Sequence, residues 1–125
     1  MKPIMALCVA GLAYTCAASP SGWLRIVEGV DGSKLDGLAG SLKIIPGYSS
    51  NLAELVVRRT PKKGDVVNLE KWRVPLSGCE AKMGAIYIAK IDGTILSESE
   101  FVFGGGNIAS IIAETICKAA TQISP

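Results

Sequence analysis

Apolar residues recur along this chain in two rhythms. From Trp23 to Phe103 they come in short, β-branched-rich runs broken by Gly, Pro, Asn and Asp, the mark of strands joined by turns. Gly22–Glu28 predicts a first strand, and Gly29–Lys34 a turn carrying Asp31-Gly32. Leu35–Gly40 is ambiguous. Leu42–Ile45 is a short strand stopped by Pro46-Gly47, and Leu52–Arg59 a longer one. After the loop Pro61–Asp65 comes Val66–Val74, where Pro75 marks an edge or a bulge. Ala85–Ile91 and Thr94–Phe103 flank Asp92-Gly93, the strongest hairpin signal in the chain.

The rhythm changes after Gly104-Gly105-Gly106. Ile108, Ile111, Ile112, Thr115, Ile116 and Ala119 follow helical spacing, with Ser110, Glu114, Lys118 and Thr121 opposite and Cys117 at the margin of the apolar arc. Asn107 is a favoured N-cap, and the helix is predicted to end near Ala120. About six strands in hairpin order, then one helix, predict an α+β fold: an antiparallel sheet with a C-terminal helix on one face.

The N-terminus has a different character. Met1-Lys2 is a short positive stretch, Ile4–Thr15 is mostly apolar, and Cys16-Ala17-Ala18 offers small residues for cleavage before Ser19. This pattern predicts a signal peptide over residues 1–18 and a single α+β domain over 19–125. The apolar run falls short of the ~20 residues a membrane span needs. Lipid attachment at Cys16 is a minor alternative, since Tyr14 and Thr15 fit a lipobox poorly.

Signal removal changes the cysteine arithmetic. Cys8 and Cys16 leave, and Cys79 and Cys117 remain. An even pair in an oxidising compartment predicts one disulfide, clamping the helix to the sheet, against the alternative of two free buried thiols. Two thiols without histidine do not assemble a zinc site, and nothing calls for a cofactor. Loss of Lys2 leaves 12 cations against 11 acids, too even a balance to draw nucleic acid or a membrane.

Trp23, Asp31-Gly32, Cys79, Asp92-Gly93, Gly104-Gly105-Gly106 and Ile116-Cys117-Lys118 stand in an order that resembles the surface-adhesin protein E family of exported Gram-negative proteins. The resemblance covers essentially the whole mature chain. It implies a sheet whose concave face holds the C-terminal helix through the disulfide, a location in the periplasm or on the outer surface, and self-association in some members. The chain departs from the family at Trp23-Leu24, where an aromatic pair is common, and at Lys90-Ile91-Asp92.

Candidate chemistry is sparse. There is no histidine, which removes the commonest general base and every Ser-His or Cys-His pair. Glu98 and Glu100 would share a strand face, as a glycosidase pair does, but solvated charge is the ordinary reading. The Gly104–Asn107 turn matches neither dinucleotide nor P-loop spacing. Arg58, Arg59, Lys62 and Lys63 form the one concentrated charge run, read either as a solvated hairpin tip or as a contact for a polyanionic glycan.

The expectation is therefore a non-enzymatic exported binding module for a host or envelope macromolecule. The alternative is a periplasmic structural, immunity or inhibitor-type protein acting through a protein interface. Leu52 and Val56 alternate with Ala53, Leu55 and Val57, and Ile86 and Ile88 with Tyr87 and Ile91, so both sheet faces carry apolar residues. That predicts a homodimer or partner interface, or else a strongly curled sheet.

Overall fold

The computed structural model describes residues 22–62 and 67–123. The predicted signal peptide, the cleavage point before Ser19 and Lys63 lie outside the described residues. The strands are β1 (Trp23–Glu28), β2 (Lys34–Leu38), β3 (Lys43–Ile45), β4 (Leu52–Thr60), β5 (Asn68–Pro75), β6 (Met83–Lys90) and β7 (Ile95–Val102). A short helix α1 (Leu76–Ala81) follows β5, and the chain closes with α2 (Ile108–Ile123). All seven strands form one antiparallel sheet in the order β1-β2-β4-β5-β6-β7, with β3 beside β4. No helix among the described residues is long and apolar enough to cross a membrane.

Strand parity sorts the side chains. Leu35, Ala53, Val57, Trp72, Val74, Ile86, Ile88 and Phe101 face α2 and form the core with Ile112, Ala113 and Ile116. Burying each large member contributes about 1.5–3 kcal/mol. Among the described residues no helix packs on the other sheet face, which mixes charged residues with apolar ones such as Leu52, Val56 and Val102. Glu54 stands between Leu52 and Val56, and Val56 pairs across to Lys71.

The two Asp-Gly pairs make matching turns. Gly32 and Gly93 sit at φ 88° and 98°, where a side chain would be strained. In each turn the preceding aspartate accepts an N–H two residues on, Ser33 N to Asp31 Oδ1 at 2.9 Å and Thr94 N to Asp92 Oδ1 at 2.9 Å.

One ambiguity of the sequence reading is resolved, and three features differ from it. The ambiguous stretch from Leu35 lies in strand β2, paired on both sides. Pro75 ends a central strand: β6 pairs with β5 only as far as Arg73, so the missing N–H costs no ladder bond there, and α1 begins at the next residue. The buried arc of α2 includes Ser110 and Cys117, while Thr115 is exposed. Ser110 is buried because its Oγ accepts the Val102 N–H at 3.1 Å and so closes the end of β7. Finally, α2 runs on to Ile123 rather than stopping near Ala120.

Asn107 caps α2 as expected, its Oδ1 accepting the Ser110 N–H at 3.2 Å. The same first turn reaches across the molecule. A Cβ at Gly29, just past β1, would lie 3.4 Å from Ile108 Cδ1, while Ser110 is bonded to the end of β7. In a flat sheet those two edges would be about 24 Å apart, at ~4.8 Å per strand. The sheet is therefore coiled, and the start of α2 bridges both of its edges.

Cys79 on α1 and Cys117 on α2 form the disulfide, with an S–S distance of 2.07 Å. It fastens the second half of α2 to α1, which itself packs on β5 and β6, away from the end anchored by Ser110.

Candidate binding face

Two carboxylates dominate the helix-free face. Asp36 is 3% exposed and Glu54 is 2% exposed, although no element of the described residues packs over them. Long side chains from neighbouring strands cover them instead. The register sets Arg25, Asp36 and Arg58 in one cross-strand row over β1, β2 and β4. Asp36 accepts from Arg25 Nε and, at 3.1 Å, from Arg58 Nη2. A second row runs Lys43, Glu54, Arg73, Tyr87 and Glu98 over β3 to β7. Glu54 accepts from Arg73 Nε at 2.8 Å, with Lys43 Nζ at 3.6 Å.

Burial alone would raise the carboxyl pKa of Asp36. The hydrogen bonds from Arg25 and Arg58 outweigh that effect and hold it below its ordinary value. Trp23 adds an aromatic plate: the Arg58 guanidinium lies 4.5 Å from its ring centroid. Arg58 Nε, an atom of the same guanidinium, is buried and has no hydrogen-bond partner among the described residues.

The basic run is not a single patch. Arg58 belongs to the helix-free face and is paired with Asp36. Arg59 points to the opposite face, 3.3 Å from Glu70, and lies 5.9 Å over the Trp72 ring. Lys62 lies over Gly32, where a Cβ would meet its Cγ at 2.8 Å, and so links two hairpin tips. The strand alternation that separates Arg58 from Arg59 was readable from the sequence; their acidic partners, set by cross-strand register, were not.

Glu98 and Glu100 share the helix-free face, both exposed. Among the described residues no three Cys, Asp or Glu side chains come together as a metal site. An apolar groove of about 380 Å³ lies between α2 and the β1–β2 edge, lined by Leu24, Leu38, Leu42, Ile116 and Ala119. Its lining is short of polar groups to orient a ligand, and Arg25, the charged residue there, is already engaged by Asp36. No known protein family, curated protein or solved structure matches this chain.

Proposed function

We propose that this chain is an exported, non-enzymatic binding module of the surface-adhesin protein E type, engaging a host or envelope macromolecule through its helix-free sheet face. The observation that carries this reading is the pinning of Arg25, Arg58, Arg73 and Lys43 by the two buried carboxylates. Guanidiniums held in place lose less conformational entropy when a partner docks, which favours recognition. The absence of histidine from the chain and the solvated setting of Glu98 and Glu100 support a non-enzymatic role.

The test is site-specific photo-crosslinking in cells of the native source. A crosslinker replacing Lys71, on the helix-free face, is expected to capture a discrete macromolecule; one replacing Thr115, an exposed residue of α2, is not. Capture at neither position, or equal capture at both, overturns the reading. Antibody access on intact cells then separates an outer-surface location from the periplasmic alternative, and intact mass tests the start at Ser19 against lipid at Cys16.

A further inference from the structure

We infer that the outer edge of β7 is a strand-addition site for an extended, basic segment of a partner protein. This rests on the binding-module reading and names the class of partner.

Among the described residues β7 pairs with β6 alone, so its other side is a sheet edge. The phase of its hydrogen bonding is fixed at the C-terminal end. There Phe103 N–H donates to Lys82 O, while Val102 turns outward, its N–H to Ser110 Oγ and its C=O to Gly105 N–H. Alternate residues of an antiparallel strand bond the same side. Glu100 and Glu98 therefore also turn their N–H and C=O outward, beyond the point where Ser110 and Gly105 seal the edge.

An open edge of this kind templates another strand unless it is blunted by charged side chains (lysine above all), proline or a bulge; the charges on β7 are Glu98 and Glu100, which repel a like-charged strand but not a basic one. β7 holds no lysine or proline, and its bulge lies at its start, opposite Ile88 and Ala89. The other edge, β1, is shorter and is bulged between Arg25 and Val27.

Side chains define what the edge accepts. Glu98 and Glu100 stand two residues apart on one face, exposed, and make no ion pair among the described residues. Most other acids of the described chain are engaged: Glu28, Asp36, Glu54, Glu70 and Glu114 by cations, Asp31 and Asp92 by turn hydroxyls or amides. Ile95 and Val102, 51% and 49% exposed, end the row on the same face. An incoming strand with two cations at alternate positions and aliphatic residues at each end matches charge to charge and apolar to apolar. A second copy fits poorly. Antiparallel pairing about Ser99 sets Glu98 against Glu100 of the other chain, and like charges directly opposite repel.

The probe is a synthetic peptide, Thr-Val-Thr-Lys-Thr-Lys-Thr-Val, added to the mature, oxidised protein and followed by amide chemical shifts and fluorescence anisotropy. Shifts are expected at Glu98 and Glu100. The charge reversal E98K/E100K is expected to weaken this peptide at least tenfold and to favour the same peptide with Glu in place of Lys. E98Q/E100Q, which leaves the backbone edge intact, is expected to give an intermediate loss. Binding that ignores the reversal, or shifts centred on Arg58–Lys62, overturns the inference. So does a wild-type dimer in sedimentation that E98K/E100K abolishes. Crosslinking at Lys71 that survives E98K/E100K undiminished overturns strand addition while leaving the binding-module reading in place.

Discussion

Replacing both Cys79 and Cys117 by alanine isolates the contribution of the crosslink. The bond joins residues 38 apart. On the chain-entropy account, closing a loop of that length removes enough freedom from the unfolded chain to stabilise the fold by roughly 4 kcal/mol. The folded state loses little else, because alanine fills most of the volume and leaves no unpaired polar atom. Domains of this size have only about 5–15 kcal/mol in total, so the variant should remain folded yet be far more fragile. Guanidinium unfolding followed by tryptophan fluorescence reads this directly, since Trp72 is 1% exposed in the core. With a slope near 3 kcal/mol/M, the midpoint should fall by about 1 M or more. Wild-type protein unfolded under reducing conditions should match the double variant. A shift below about 0.3 M, or reduced wild type behaving like oxidised, would refute the assignment of α2's anchorage to this bond.

Ile112→Asp should unfold the domain or release α2, because Ile112 is fully buried and an unpaired carboxylate there costs several kcal/mol; unchanged thermal stability would contradict docking by this face. Glu54→Gln should destabilise by about 3 kcal/mol by leaving Arg73, 17% exposed, without its acid, and adding Arg73→Met should recover much of that loss. Strictly additive denaturation data would rule out the pair as a unit. Asp36 has a folded-state pKa below its unfolded value near 3.8, so its stabilisation is complete above that pH and is lost as pH falls below it. Asp36→Asn should accordingly flatten the acid limb of the stability curve, and an unaltered limb would place the effect on other carboxylates.

The sequence made legible what depends on local rhythm. Strand alternation located most of the sheet, Asp31-Gly32 and Asp92-Gly93 located two turns, and the expectation that Cys8 and Cys16 belong to a signal pointed to the Cys79–Cys117 crosslink. What stayed hidden depends on partners far along the chain. Ser110 looked like a surface residue because its hydroxyl is polar; it is buried because the Val102 N–H needs an acceptor. α1 escaped notice because Pro75 and Gly78 punctuate it. Gly78 fits closely there, since a Cβ would lie 3.2 Å from Phe101 Cζ and press the ring aside by a few tenths of an ångström. The cation–carboxylate rows of the helix-free face follow no period along the chain at all. Asp36 and Arg58 are 22 residues apart, and only the β2–β4 register makes them neighbours.

The first turn of α2, touching the end of β1 through Ile108 and the end of β7 through Ser110, has a consequence for how the molecule opens. Fraying of that turn would bare the apolar side of the sheet and loosen both edges together, the kind of local excursion from which edge-to-edge aggregation starts. Cys117 lies seven residues further along the same helix and stays tethered to α1 throughout. A tethered helix end returns at the high effective concentration of an intramolecular contact, faster than a second molecule can arrive. The crosslink thus acts as a hinge pin for a helix that would otherwise detach, and it guards against self-templating during brief openings as well as adding to equilibrium stability.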